Sequence, residues 1–328
     1  MTREQMILRL QQEYAQRREE NLRLYEEKTQ RVCERCPGLR QLLEQRHAMV
    51  LSGVRAGLLN PRKSPDVNRE LPSAMAEMNR RVGESLKAGG LPQDALSPIY
   101  TCSQCRDEGY VYQPSRKMCE CMEKELNRRM LAQLGLEKDG QTFENFDETL
   151  FSQEKEPGGV SQLQMVTLVR SVCQNYADAY PQTQTLNLLL TGKSGLGKTY
   201  LLRAIAHRVA QRGTLPVYTS AYHFLEVARQ AYMENNSQLL SEMMNAPLLL
   251  LDDLGTEPLM QNITVTQLFN LLNERQLAGR HTVISTNLDM AELKERYTER
   301  VASRLMDGSC WRKLSLMGQD VRKGLKRS

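Results

Sequence analysis

The chain has 328 residues, 40% of them hydrophobic and 25% charged, which is the size of about two domains and an ordinary makeup for a globular protein. Its longest apolar stretches, at 186–190 and 248–251, are far too short to cross a bilayer. The net charge of +5 is too mild to name a partner, and the eight cysteines argue for metal ligands or isolated thiols rather than a disulfide framework.

The chain opens with alternating charged and apolar residues, so no secretory signal is expected and the protein is expected in the cytoplasm. Residues 1–60 read as helical. Ile7, Leu10 and Tyr14 recur at helical spacing, the pattern lapses at Arg17 and Asn21, and Leu24 resumes it. Pro37 breaks the segment, and Leu39, Leu42, Leu43, Val50, Val54 and Leu58 predict a second helix. Such helices form either a partner-binding bundle or a plain hairpin on their own domain. The stretch 60–73, with three prolines, reads as a loop; a short helix is expected over 74–87, and 88–98 is turn-rich. A cysteine cluster follows at 102–121, then a helix to about residue 136. The polar stretch 137–161 reads as an interdomain linker. The division is therefore a helical N-terminal domain over 1–136 and a second domain over 162–328.

From residue 162 helical patterns alternate with short apolar runs at 186–191, 216–219, 248–252 and 281–286. That alternation predicts an α/β domain, a parallel sheet flanked by helices.

The first run leads into Gly192, Lys193, Ser194, Gly195, Leu196, Gly197, Lys198 and Thr199, a G-x-x-x-x-G-K-T sequence between a strand and an amphipathic helix. Glycines let backbone N–H groups turn around phosphate oxygens, and the helix N-terminus adds a positive dipole end. Lys198 is expected on the β- and γ-phosphates of ATP and Thr199 on Mg2+. The run at 248–251 ends in Asp252 and Asp253, acids with no packing reason to be at a strand tip. Asp252 is expected to help hold Mg2+, and Asp253 to orient or deprotonate the attacking water. Asn287, ending the next strand, is placed to meet the γ-phosphate or that water, though Thr-Asn also suits a turn. Arg296, Arg300 and Arg304 recur every four residues and are expected on one helix face, as a solvated stripe or as an arginine finger for a neighbouring subunit. Arg322 is a further candidate phosphate contact. Eight Lys or Arg against two Asp from residue 300 onward make a basic tail, either a solvated face or an attractor of nucleic acid.

Cys102 and Cys105 form a C-x-x-C pair, thirteen residues precede Cys119, and Cys119 and Cys121 form C-x-C. Two close pairs separated by such a loop suit one tetrahedral four-cysteine zinc site with no open position; an iron–sulfur cluster or free thiols are the alternatives. Cys33 and Cys36 lack a second pair and read as thiols near a helix end.

The sequences GKSGLGKT, LLLLDDLGTEP, NLLNER, STNL, ERVASRL and GQDVR resemble the AAA+ ATPases of the DnaC/DnaI helicase-loader group, which also contains the IstB transposition helpers. The upstream cysteine cluster followed by TFENFD is similar to the N-terminal half of such loaders. The resemblance spans about residues 100–322. It implies Walker A roles for Lys198 and Thr199, Walker B roles for Asp252 and Asp253, sensor 1 for Asn287, sensor 2 for Arg322, and an arginine finger at Arg304, with Arg300 close behind. Many AAA+ proteins have Asp-Glu at the strand tip; this chain has Asp-Asp, which leaves Glu257 as a further acid that could contribute. The resemblance also implies a hexameric replicative DNA helicase bound through residues 1–136, single-stranded DNA bound by the ATPase domain, and self-association of that domain with ATP and DNA. A DNA surface over 220–236 would offer Tyr222, Phe224, Arg229 and Tyr232, residues that otherwise serve helix packing. The alternatives are an IstB-like transposition helper and a non-hydrolysing nucleotide-gated scaffold.

Overall fold

A computed structural model describes the chain except residues 60–63, 113, 137–139, 156–158, 235–237, 261–262 and 324–328, and the side chains of 53–59, 64–70, 234 and 323. Parts of the expected loop at 60–73, of the linker, of the 220–236 surface and of the basic tail therefore lie outside the described residues. Two compact units emerge, one of residues 7–123 and one of residues 1–6 and 124–328.

In the first unit, helix α1 (Arg3–Arg35) runs unbroken through the lapse at Arg17 and Asn21. The lapse has a structural reason: Asn21 donates its amide to the Asp107 carboxylate at 2.8 Å, so a polar face is required there. Helix α2 (Leu39–Leu59) packs against α3 (Ser64–Ala88). Helix α3 corrects the expected loop, since its described backbone is helical from Ser64 and carries Pro72 in its interior. Pro65 falls in the first turn, where a missing N–H costs nothing. Val32, Cys36 and Leu39 meet Val82, Leu86 and Ala95 in a small core. Strands β1 (Tyr110–Tyr112) and β2 (Arg116–Met118) form an antiparallel hairpin within the cysteine cluster, and α4 (Glu120–Gln133) follows it.

The second unit is a five-stranded parallel sheet. Its strands are β3 (Asn187–Thr191), β4 (Val217–Ser220), β5 (Leu248–Leu254), β6 (His281–Thr286) and β7 (Trp311–Ser315), in the spatial order β4-β5-β6-β3-β7. Leu188, Leu190, Leu248 and Leu250 face α5 (Gln162–Ala179) and α6 (Lys198–Gln211). Leu189, Leu249 and Leu251 face the layer of α7 (Ala221–Glu234), α8 (Gln238–Asn245), α9 (Thr264–Leu277) and α10 (Met290–Leu305). Both faces are covered, which is why the runs Leu188–Leu190 and Leu248–Leu251 are apolar without alternation. The expected α/β class holds, with helices on both sides of the sheet. Edge strand β7 was not foreseen: Trp311 and Leu314 are buried, but Arg312 and Lys313 are exposed and mask the strand in the sequence.

The stretch 137–161 departs from the linker reading. Phe143, Phe146 and Phe151 are buried in the same core as α5 and α6. The polar residues between these rings hid them, because two residues separate Phe143 from Phe146 and four separate Phe146 from Phe151, with no regular period.

A nucleotide site at the C-terminal edge of the sheet

Strand β3 pairs in register with β6, Thr191 opposite Thr286, so the residues that follow each strand leave the sheet side by side. That register puts 192–199 next to Asn287. The loop starts at Gly192, where a Cβ would collide with the Leu316 carbonyl, and ends at Gly197, which takes a left-handed φ of +87° to start α6. Loop and helix N-terminus together make an anion cradle.

Lys198 is 4% exposed and donates to three acceptors: the Gly192 carbonyl at 2.6 Å, the Lys193 carbonyl at 2.8 Å and Asn287 Oδ1 at 2.7 Å. Its ammonium is thereby fully used. Burial holds Lys198 down to about 8, against the pull of Asp253 and Asp252. Thr199 Oγ1 donates to Asp252 Oδ1 at 3.2 Å. Asp252 Oδ1 also accepts a short hydrogen bond from Ser285 Oγ, whose oxygen accepts from the Asp253 N–H at 2.9 Å. Between Leu251/Ile284 and Leu254/Thr286 the β5–β6 ladder shifts register, and Asp253 takes a φ of +55°. This irregularity turns the two adjacent acids into different environments. Burial, and next the charge of Asp252, push Asp253 above the ordinary carboxylate range. The Thr199 hydroxyl and Asp252 carboxylate form the hard-oxygen donor set that Mg2+ takes.

Arg322 holds Asp320 through both carboxylate oxygens, at 2.9 and 2.7 Å, and donates to Ser194 Oγ at 2.9 Å. The Val321 N–H donates to the Gly195 carbonyl at 3.1 Å. The structure thus brings Lys198, Thr199, Asp252, Asp253, Asn287 and Arg322 to one end of the sheet. Lys193, Gly195 and Leu196 complete the loop, with Leu196 buried in the core.

Arg304 is elsewhere. Its guanidinium lies 5.9 Å from the Phe269 ring and takes no part in the network around Lys198. The arginine stripe needs correction. Thr298 has φ +78° and ψ 161° inside α10, so Arg296 does not share a face with Arg300 and Arg304. Arg296 turns inward to the Glu257 carbonyl. Glu257 is 3% exposed, and its carboxylate accepts from the Tyr297 hydroxyl and from the Gly255 N–H at 2.9 Å. Of the aromatics on α7, Phe224 is buried, whereas Tyr222 and Tyr232 are exposed.

Two site features escaped the sequence. Ser285 is visible only once the β5–β6 register is known. Phe146 and Phe151, stacked 5.6 Å apart, pack beside Gly197 and flank the phosphate loop.

In the other unit, the four thiols of Cys102, Cys105, Cys119 and Cys121 lie within 4.8 Å of one another. Cys102 and Cys119 are 3.9 Å apart, and Cys105 and Cys121 3.6 Å. A tetrahedron with metal–sulfur bonds of about 2.3 Å has edges of about 3.8 Å, so the thiols fit one metal ion. Buried Asp107 braces the first pair by accepting the N–H groups of Thr101 at 3.0 Å and Cys102 at 2.8 Å. Tyr14 of α1 donates to Cys121 Sγ at 3.3 Å. Cys33 and Cys36 are not part of this four-thiol cluster.

Comparison with known families decides the wider question, because residues 131–318 match the model of the IstB-like ATP binding proteins. The chain belongs to the IstB-like ATP-binding family. This IstB-like chain is 29% identical over 182 residues to the replicative helicase loader DnaI of Bacillus subtilis (strain 168), covering 51% of the chain and 53% of that protein. It is 25% identical over 232 residues to the phage-like element PBSX protein XkdC of the same organism, covering 66% of the chain and 82% of XkdC. The crystal structure of the DnaC helicase loader matches with a TM-score of 0.45 and 18% identity, over 55% of this chain and 98% of that one. The IstB-like chain spans about half the length of DnaI. Its matched part is the ATP-binding region of that family. No helix among the described residues is long and apolar enough to cross a membrane.

Proposed function

We propose that the protein is an ATP-hydrolysing helicase loader, with residues 1–136 binding a hexameric replicative DNA helicase and the AAA+ domain binding single-stranded DNA. The observation that carries the enzymatic part is the convergence of Lys198, Thr199, Asp252 and Asn287 on one hydrogen-bonded cluster at the end of the sheet. The four-thiol cluster upstream supports the loader reading, since the matched IstB region begins only at residue 131.

A bound Mg2+ would supply positive charge to offset that on the phosphates. Thr199 and Asp252 would hold it. Lys198 would exchange its carbonyl acceptors for phosphate oxygens. Arg322 would exchange Asp320 for the γ-phosphate. Asn287, already tied to Lys198, would orient the attacking water together with Asp253. Arg304, outside its own site, is assigned to a neighbouring subunit's γ-phosphate, which makes self-association part of turnover. The four cysteines would hold a structural Zn2+.

Asp253→Asn is expected to bind ATP within about threefold of wild type while turnover falls about a hundredfold or more. Normal turnover in this variant would refute the assignment of Asp253.

The loader reading is tested by pull-down of the full chain with its host's replicative helicase, with and without ATP. Stable capture that changes with ATP supports it, and no capture in either condition refutes it. A second reading, a transposition helper, is favoured by the family that the ATPase region matches. Stimulation of a co-encoded transposase without helicase capture would select it.

A further inference from the structure

Asp252 is held from two sides, and only one belongs to the phosphate loop. Thr199 and Ser285 donate to Oδ1. Oδ2 accepts from the Tyr218 hydroxyl at 2.8 Å. Tyr218 lies on β4, one strand outward from β5, with Ser220 opposite Asp252 in the register. Its hydroxyl is in turn met by Arg203 Nε at 3.1 Å, and the Arg203 guanidinium lies 5.5 Å from the Tyr218 ring centroid. Arg203 is on α6, one turn beyond Thr199.

The direction of this chain of bonds is fixed by chemistry. Arginine only donates, so the Tyr218 oxygen accepts from Arg203. Its single proton is then left for Asp252 Oδ2, which can only accept while ionised. A cationic donor behind the phenol polarises the O–H and strengthens what it gives to the carboxylate. The consequence is a carboxylate whose rotation about its Cβ–Cγ bond is set by two donors on Oδ1 and one on Oδ2.

We propose that Tyr218, braced by Arg203, is a positioning residue that aims Asp252 at the metal and sets the metal affinity of the site. This rests on the Mg2+–ATP reading above. Tyr218 touches neither nucleotide nor metal in this assignment. It acts through Asp252, as partners behind a ligand commonly do, and losing such a partner typically costs ten- to a hundredfold in metal affinity. A purely structural Tyr218 would contribute its ring to packing, and removal of its hydroxyl would leave metal binding alone.

The test is a Mn2+ titration of the ADP complex followed by electron paramagnetic resonance, with ADP affinity measured separately in EDTA. In Tyr218→Phe the Mn2+ half-saturation is expected to rise about tenfold, while ADP affinity in EDTA stays within twofold of wild type. Arg203→Met, which keeps the aliphatic stem, is expected to shift Mn2+ in the same direction by about threefold. Unchanged Mn2+ binding in a folded Tyr218→Phe protein overturns the proposal, as does an equal loss of ADP affinity with and without metal. If Tyr218→Phe does not fold, the Arg203→Met titration decides by the same criteria. A wild-type ADP complex that takes up no Mn2+ would instead sink the metal–nucleotide reading itself.

Discussion

Replacing Lys198 with alanine is expected to abolish ATP binding, with a loss of at least about a hundredfold, about 3 kcal/mol. Two effects add. The variant loses a desolvated cation aimed at the phosphates, where charge-assisted bonds are strong. It also frees the Gly192 and Lys193 carbonyls and Asn287, which Lys198 now ties together, so the loop loses the clamp that shapes it. Titration with a fluorescent ATP analogue checks this, and an affinity within threefold of wild type would overturn it. The same side chain predicts a pH dependence. Burial holds it near 8 in the free protein, and a bound phosphate would raise it. Below pH 8 the lysine is protonated before and after binding, so affinity is flat. Above pH 8 binding requires uptake of a proton, and affinity falls by up to about tenfold per pH unit.

The second large effect concerns the four cysteines. About one zinc per chain is expected, and chelation is expected to unfold residues 7–123. A structural zinc commonly supplies on the order of 10 kcal/mol of binding free energy that is also folding free energy. The core of this unit is small, and the hairpin β1–β2 has three residues per strand, too few to hold without the metal. Metal analysis of the full chain, then circular dichroism and limited proteolysis before and after chelation, would check it. Metal-free protein that resists proteolysis, or a chain that absorbs visible light as an iron–sulfur protein does, would sink the zinc assignment. Cys105→Ser should reproduce the effect of chelation, because it removes a buried ligand.

What the sequence revealed follows a physical divide. Strands β3 and β5 were legible because burial on both faces leaves apolar runs of three and four leucines. The Lys198–Thr199 loop was legible because its chemistry is contiguous in the chain. Strand β7 was not, since an edge strand needs few buried residues and Arg312 and Lys313 disguise it. Interactions between strands were equally hidden. Ser285 and Tyr218 reach Asp252 only through sheet register, and no local pattern marks them. The spacing of Arg296, Arg300 and Arg304 misled because Thr298 interrupts the helical geometry that spacing presumes. Closeness in sequence to Asp253 says nothing of direction at Glu257, whose carboxylate accepts from Tyr297 and the Gly255 N–H.

The three phenylalanines of 140–151 set a limit on how the protein can be cut. A fragment starting at Gln162, the first residue of α5, would strip Phe143, Phe146 and Phe151 from the core beside α5 and α6. At about 2 kcal/mol each, their burial is comparable to the whole margin of stability of a domain. Their removal would also uncover an oily face next to the phosphate loop. A soluble ATPase fragment therefore has to begin before Phe143, and a start at Lys124 keeps the whole longer segment of its compact unit.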